Sequence, residues 1–444
     1  MLRFFKFSNV TCVSAIFGAC WFLYYANRIV SPYYNLGNWV VILVFLIVYS
    51  VLGRTYDAFL VSLNRVREIV YSQSLACVIA DVVMYLVIIL LSKRFLNPLP
   101  LLASLLAQVL FSCIWCLAVN RWYFKKNPPR LSAVVYESRE GMENLISEYG
   151  LEKKFDIQLT LTVKDALQNL DVLKGFNTVF ISGVHSHDRN VILKHCMYNG
   201  IRVYVIPRIG DVIMSSARKV HMFHLPMLMV NRYTPTPEYA FVKRLFDIIL
   251  SAIALGITSP VLLITAIAIK KTDRGPVFYR QCRLTLNGQR FDVLKFRSMR
   301  VDAEKDGVAR LSTGDNDDRI TPVGRIIRKV RIDELPQLIN ILKGVMSIVG
   351  PRPERPEIAA QYEEVMPEFA LRLQMKAGLT GYAQVYGKYN TTPYDKLQMD
   401  LMYIAEANVL NDLKIMLATV KVLFLSESTE GIEKGQVTAI KKIK

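Results

Sequence analysis

Apolar and polar positions alternate on three different periods along the 444-residue chain, and each period predicts a different kind of structure. Stretches at Val10 to Tyr25, Trp39 to Leu52, Leu75 to Leu91 and Leu99 to Val119 are nearly unbroken in apolar character. Each approaches the ~20 residues that cross ~30 Å of hydrocarbon. They predict a four-helix transmembrane region over residues 1–125. After Asn127-Pro128-Pro129 short apolar runs at Ala133 to Tyr136, Ile157 to Val163, Thr178 to Ser182 and Ile201 to Ile206 alternate with amphipathic segments at Arg139 to Tyr149, Lys164 to Leu173 and Arg189 to Tyr198. Strand and helix in turn predict a small open α/β domain with a largely parallel sheet, over residues 126–235. Thr234-Pro235-Thr236-Pro237 then reads as a linker.

The third regime opens with a long apolar helix, Phe241 to Lys271, within a membrane segment spanning 236–272. Lys243, Arg244 and Asp247 bracket one end, Lys270, Lys271 and Arg274 the other, and Ser259-Pro260 stands near the centre. A fifth spanning helix would put the Lys- and Arg-rich remainder of the chain outside, against the rule that basic loops stay inside. A helix broken at Ser259 and Pro260 that enters and leaves one leaflet keeps both basic ends at anionic headgroups, with the serine hydroxyl serving backbone groups freed by proline. The re-entrant form is the expectation. Residues 273–425 follow as a mainly α-helical domain, with core-packing helices between Tyr394 and Leu425, and 426–444 as a basic tail.

Composition sharpens this picture in two respects. Hydrophobic residues make up 52% of the chain, more than a soluble protein of this length carries. The formal charge of +18 points to anionic partners: lipid headgroups, phosphorylated substrates or nucleic acid. Arg54, Arg65 and Arg67 between spans two and three, and Arg121, Lys125, Lys126 and Arg130 after span four, place both ends of the bundle on the cytosolic side of an inner membrane. Nucleic acid is set aside, because the basic residues lie among carboxylates and beside lipid-facing helices and no recognised module is present. A transporter is set aside too, for want of duplicated membrane segments.

The seven cysteines are scattered, and Cys113 and Cys116 have CxxC spacing with no further ligand cluster. His185-Ser186-His187-Asp188 reads as a polar turn rather than half a metal site. The first strand of the α/β domain runs into Glu137-Ser138-Arg139-Glu140-Gly141, which lacks the glycine spacing of a dinucleotide site. A regulatory or dimerising role, with a homodimer as its partner, is the expectation for that domain.

Chemistry concentrates further on. Leu335, Leu338, Ile339 and Leu342 share a helical face, which predicts Asp333 at an N-cap with Pro336 in the first turn. Asp333 and Glu334 are adjacent carboxylates, Arg328 precedes them by one to two turns, and Arg352 is held between Pro351 and Pro353. Lys295 and Arg297 flank Phe296 after a predicted strand, Phe291 to Leu294. Paired hard oxygens among cations suit a site that binds Mg2+ and phosphate together.

From Lys243 to about Phe424 the chain resembles the bacterial sugar transferases, the monotopic polyprenyl-phosphate phosphoglycosyl transferases. The resemblance rests on Lys243-Arg244-Leu245-Phe246-Asp247, Ser259-Pro260, Gly275-Pro276-Val277-Phe278 with Gln281, and Lys295-Phe296-Arg297-Ser298-Met299. It continues through Asp333-Glu334-Leu335-Pro336-Gln337 with Asn340, Gly350-Pro351-Arg352-Pro353, and Gly378-Leu379-Thr380-Gly381 with Gln384. The front half is similar to that of the longer members, which carry four spans and a Rossmann-like domain. The resemblance implies transfer of a hexose 1-phosphate from a UDP-sugar to polyprenyl (undecaprenyl) phosphate with release of UMP, the first membrane-committed step of surface polysaccharide assembly. It implies Asp333 as nucleophile, Glu334 as metal or proton partner, Mg2+ as cofactor, Lys295, Arg297, Arg328 and Arg352 on phosphates, and Gln337, Asn340 and Gln384 as further motif positions. Val345 and Arg331 depart from the family pattern, where an acidic residue and a serine are common. The competing expectation is a non-catalytic, membrane-anchored regulatory or scaffold protein.

Overall fold

A computed structural model describes residues 2–33, 36–301, 303, 319–387 and 391–423. The basic tail expected at 426–444 lies outside the described residues. The chain divides into two compact units, Met1–Pro207 and Arg208–Lys444.

In the first unit, α1 (Leu2–Cys20) continues as a π-helical turn, Trp21–Tyr25, and is followed by α2 (Leu36–Thr55), α3 (Val66–Ser92) and α4 (Leu99–Lys126). All four are long and apolar enough to cross a membrane. Large side chains such as Leu43, Leu86, Leu90, Leu106 and Leu110 face outward, so the bundle is apolar on the surface that lipid would cover. Its interior carries the polar groups: Asn9 bridges Gln73 and Tyr49 at 3.2 and 2.8 Å, and Gln108 donates to Asp81 at 3.4 Å. These side chains meet one another across helices, where lipid would offer them no partner.

The α/β part follows as β1 (Arg130–Tyr136), α5 (Met142–Glu148), β2 (Phe155–Thr162), α6 (Val163–Gln168), β3 (Thr178–Ser182), α7 (Ser186–Tyr198) and β4 (Arg202–Val205). The strands pair in parallel in the order β2-β1-β3-β4, the crossover arrangement that alternating strands and helices predict. Ala133, Val135, Val179 and Ile181 pack on α6 and α7, while Val134 and Phe180 pack on the α5 side through Ile146. Side chains alternate faces because strand period is two. Arg65, just before α3, donates to the Tyr149 carbonyl at 3.2 Å and to that of Glu148. The loop between α2 and α3 therefore lies on the same side of the bundle as the α/β part. His185 donates its backbone N–H to Glu137 at 2.9 Å and sets its ring Nδ1 2.8 Å from the same carboxylate, and Ser186, His187 and Asp188 open α7 in place of the expected polar turn.

The second unit begins at Arg208 rather than at the Thr234–Pro237 segment. Helix α8 (Ile209–Ser215) packs Ile209 and Val212 into the core that holds Leu397, Leu401 and Ile404. A two-stranded antiparallel ribbon, β5 (Arg218–Met222) and β6 (Leu225–Met229), turns at Phe223 and His224, both with positive φ. Next come α9 (Pro237–Asp273), the antiparallel pair β7 (Phe278–Leu284) and β8 (Arg290–Phe296), α10 (Pro322–Lys329) and α11 (Gln337–Lys343). The rest comprises β9 (Ser347–Val349), α12 (Pro356–Val365), β10 (Gly378–Thr380), α13 (Tyr382–Tyr386), α14 (Pro393–Ala405) and α15 (Val409–Leu423). Leu397, Leu401 and Ile404 are buried as expected, whereas Leu413 is exposed.

Residues Pro237 to Asp273 are helical throughout, Ser259 and Pro260 included. Proline removes the N–H that would reach Gly256, and the Ser259 hydroxyl donates to that carbonyl instead, at 2.8 Å. One stripe of α9 packs on the unit along its length. Lys243 meets Asp412 at 2.7 Å, and Arg244 donates to the Ile341 and Leu342 carbonyls at 2.6 and 2.7 Å. Asp247 accepts from Ile348 N at 2.9 Å and from Ser347 Oγ at 3.2 Å. Ala254 and Leu255 pack against Phe291 and Leu338, and Leu262, Ala266 and Ile269 against Phe296 and Ile327. The opposite stripe, Leu245, Ile249, Ile253, Ile257 and Ile264, is exposed and wholly apolar.

Candidate active site

The site is assembled on a crossing that glycine makes feasible. β9 and β10 pair in parallel, Ser347 with Gly378 and Val349 with Thr380. A Cβ at Gly350 would stand 2.3 Å from the Lys376 carbonyl, one at Gly378 2.2 Å from Gly350 N, and one at Gly381 2.2 Å from the Gly350 carbonyl. Real side chains cannot approach so closely, so three glycines permit the two chains to touch. The crossing delivers Pro351-Arg352-Pro353 to the edge of the dyad.

Asp333 and Glu334 lie in a single 3-10 turn, Ile332–Glu334, ahead of α11, and Pro336 rather than Asp333 holds the N-cap of that helix. Arg331 has φ of 55°, a left-handed conformation that ends α10's connection and redirects the chain before the carboxylates. Asp333 therefore does not cap a helix as expected.

Glu334 Oε1 receives two cations, Lys295 Nζ at 3.1 Å and Arg352 Nη2 at 3.2 Å. The Glu334 side chain is 18% exposed and Lys295 22%, while Arg352 remains 46% exposed at the open edge. The two adjacent acids are driven in opposite directions. Burial and then the neighbouring Glu334 charge push the Asp333 carboxyl up, against Lys295 and Arg328. Burial would raise Glu334 as well, but Lys295, Arg352 and Arg331 outweigh it and hold it well below the usual carboxylate range. Arg352 is in turn raised, chiefly by Glu334.

Five of the anticipated residues thus converge: Asp333, Glu334, Lys295, Arg352 and Arg328. The others have different surroundings. Asn340 donates to the Asp292 carbonyl at 2.8 Å and accepts from Leu294 N at 2.9 Å, which fastens α11 to β8 and so sets Lys295 one residue beyond. Arg297 is buried, its Nη1 lying where a Cβ of Gly275 would be, 1.9 Å away. Gln384 donates to the Leu379 carbonyl at 3.1 Å, and Gln337 is buried at the start of α11. Ser259 and Pro260 lie within α9, as described above.

Sequence reasoning missed a second set of charges behind Arg352: Arg283, Glu354, Arg372 and Asp400. One signal was available. Asp400 stands on the apolar stripe of α14 defined by Leu397, Leu401 and Ile404, where an acid implies a buried partner.

Among the described residues no group of three or more His, Cys, Asp and Glu side chains could by itself hold a metal. Mg2+ asks for less, being held by one or two carboxylates together with substrate phosphates. Both cations contact Glu334 through Oε1, and Glu334 Oε2 and the Asp333 carboxylate are the further hard oxygens of the dyad. The donor set fits Mg2+ when phosphate completes it.

A half-buried, charge-polarised acid pair beside Lys295 and Arg352 thus lies in a unit that also carries a long apolar helix. The bacterial sugar transferase profile matches residues 238–426. The chain is 41% identical over 191 residues to the UDP-glucose:undecaprenyl-phosphate glucose-1-phosphate transferase of Caulobacter vibrioides, covering 42% of this chain and 71% of that protein. It is 41% identical over 198 residues to the exopolysaccharide production protein PSS of Rhizobium leguminosarum bv. phaseoli, covering 43% and 96%. With the UDP-N-acetylgalactosamine-undecaprenyl-phosphate N-acetylgalactosaminephosphotransferase of Aeromonas hydrophila it shares 36% over 234 residues, 52% of this chain and 54% of that one. The chain belongs to the bacterial sugar transferase family. Its match spans about half the length of the Aeromonas relative.

Proposed function

We propose that the protein transfers a hexose 1-phosphate from a UDP-sugar to polyprenyl (undecaprenyl) phosphate, releasing UMP. The observation that carries this reading is the unequal acid pair: two neighbouring carboxylates, one raised and one lowered, facing Lys295, Arg328 and Arg352. A raised aspartate is the better nucleophile, and a suppressed neighbour stays ionised beside the cations. In the first step an Asp333 carboxylate oxygen attacks the sugar-bearing phosphorus. The bond from that phosphorus to the UMP oxygen breaks, and UMP leaves with the electron pair. An oxygen of polyprenyl phosphate then attacks the same phosphorus, and the Asp333 carboxylate is released unchanged. No proton is consumed in either step. Lys295, Arg328 and Arg352 hold phosphate oxygens in line, the positioning that dominates phosphoryl transfer. Bound at Asp333 and Glu334, Mg2+ would supply charge neutralisation for the leaving phosphate.

The same reading has α9 bend at Ser259 and Pro260, so that it enters and leaves one leaflet of the inner membrane with both ends cytosolic. Its packed stripe contacts one folded unit from Lys243 to Ile269, so a spanning helix would require that polar unit to cross the bilayer with it. The exposed apolar stripe supplies the surface for lipid, and the depth it sets brings a lipid phosphate to the dyad. The α/β part is read as regulatory or dimerising. The names of the relatives include both glucose and N-acetylgalactosamine, and the donor here is left to a panel.

The test uses full-length protein with Mg2+ and a panel of UDP-sugars but no lipid. UMP release together with a mass gain of one sugar phosphate is expected, and Asp333→Asn should abolish both. Normal turnover by that variant would overturn the assignment, and lipid binding without product from any donor would leave a scaffold.

A further inference from the structure

The entrances to the four parallel strands lie along one edge of the sheet, and that edge is cationic. Main-chain bonds fasten it: Arg130 N donates to the Lys154 carbonyl at 2.9 Å, Asn177 N to that of Leu131 at 2.9 Å, and Arg202 N to that of Asn177 at 3.1 Å. The register thus brings Arg130 at the start of β1, Lys154 just before β2 and Arg202 at the start of β4 to the same edge. No carboxylate pairs with any of these three side chains among the described residues. Burial first and then Arg130 and Arg202 push the Lys154 ammonium below its ordinary value, with no acid acting against them. Like charges gathered in this way cost energy unless an anion from outside completes them. An open hollow of about 730 Å³ lies at this edge, lined by Pro128, Pro129, Arg130, Asn177, Gly200 and Arg202.

The edge also has a fixed place in the first unit. Helix α4 ends at Lys126, and Asn127, Pro128 and Pro129 alone separate it from Arg130, a reach of at most ~10 Å. That is comparable to the ~8 Å over which exposed charges are felt at physiological salt. Trp122, one turn before the end of α4, is exposed, with Lys126 Nζ 5.3 Å from its ring centroid. Aromatic and cation side by side at a helix end suit a bilayer interface. Arg65, just before α3, holds the Tyr149 carbonyl at 3.2 Å at the end of α5. The strand entrances are therefore tied at two points to the surface from which α3 starts and at which α4 ends.

We propose that this edge is a docking site for the phosphates of anionic phospholipids, with Arg130 and Arg202 gripping a headgroup across the hollow and Lys154 adding charge beside them. The guanidinium fork suits a phosphate oxygen pair. Lipid rather than soluble phosphate is the occupant, because the edge begins three residues beyond a membrane helix, where anionic headgroups are concentrated. Docking holds the α/β part against the bilayer and is independent of the transferase chemistry.

The experiment uses full-length protein in nanodiscs of phosphatidylcholine alone and of phosphatidylcholine with increasing phosphatidylglycerol. Hydrogen exchange is followed in peptides covering 127–133, 150–156 and 198–204. Phosphatidylglycerol should slow exchange in these peptides and leave Val179 and Ile181, in the core of β3, unchanged. The same core amides report that each variant is folded. Arg202→Gln, at an exposed position, should raise the phosphatidylglycerol content at half-effect on the order of fivefold, as one basic group beside an anionic surface is worth. Arg130→Gln combined with it should remove the effect. Lys164→Gln makes the same charge change at an exposed position beyond the opposite end of β2, and should leave the effect as in wild type. Equal exchange in the two lipids overturns the docking site. Equal weakening by Lys164→Gln also overturns it, by reducing the effect to net charge. Protection of wild type by inorganic phosphate in phosphatidylcholine nanodiscs would overturn the assignment to lipid and make the hollow a site for soluble phosphate.

Discussion

The Asp333 and Glu334 side chains share a backbone turn yet are placed in opposite electrostatic states, and the pH response of the protein follows from that difference. Asp333 must be ionised to attack, and its folded pKa is raised. UMP release should therefore decline as pH falls through that raised value, well before the ~3.9 at which an ordinary aspartate would protonate. A pH-rate profile flat into the ordinary aspartate range would contradict it. Lys295 is the strongest of the cations holding Glu334 down, and Lys295→Met should move the acid limb to higher pH and lower kcat on the order of 10²-fold, a magnitude typical of removing one preorganised charge partner. Steady-state rates across pH would check both. The contacts of Glu334 with Lys295 and Arg352 were legible in the sequence, because a charge cluster near two adjacent acids has few structural uses. Arg372 and Asp400 were not, since their partner is a main-chain carbonyl, and a backbone atom leaves no mark in the pattern of side chains.

At the scale of elements the crossing of β9 and β10 carries the most strain-sensitive positions. Gly350→Ala would force a Cβ to 2.3 Å from the Lys376 carbonyl, and that backbone cannot yield cheaply. It should cost about 1–3 kcal/mol, as overpacking does, and depress UMP release beyond the loss of folded protein by shifting Arg352. Thermal unfolding followed alongside activity separates the two effects. The parallel strands β1 to β4 could be read from alternation and from the helices between them. The ribbon β5–β6 could not. Its turn places Phe223 and His224 at positive φ with no glycine or asparagine to announce it, and Leu225-Pro226-Met227-Leu228-Met229 has no alternation to mark a strand. The expected N-cap at Asp333 failed for a related reason. A left-handed Arg331 inserts a separate turn, and arginine gives no warning of that conformation.

At the scale of the molecule the site lies wholly within the second compact unit, which has its own apolar cores. Residues 208–444 produced alone in detergent should release UMP from the donor that the full chain uses, as the near-complete coverage of the Rhizobium relative suggests. Loss of release from a folded 208–444 fragment would make the first unit part of the enzyme. Cysteines placed at the exposed positions Glu238 and Lys271, with the exposed Cys12 and Cys282 replaced, should label from the same face of sealed vesicles. Labelling from opposite faces would end the re-entrant reading. The presence of α9 was plain from its apolar run, but its continuity through Pro260 depended on one serine hydroxyl finding one carbonyl.

The packed stripe of α9 also constrains the order of biosynthesis. Translation proceeds from the N-terminus, so Pro237–Asp273 is complete before Phe291, Phe296, Ile327, Leu338 and Asp412, which cover that stripe, have left the ribosome. For that interval Asp247, Ser251 and Thr265 are polar groups on a nascent apolar helix with nothing yet to cover them. On the re-entrant reading, the cost of carrying Asp247 through the bilayer would hold the nascent segment to the near leaflet, and the later arrival of Ser347 and Ile348, which hydrogen-bond that carboxylate, would make the arrangement permanent.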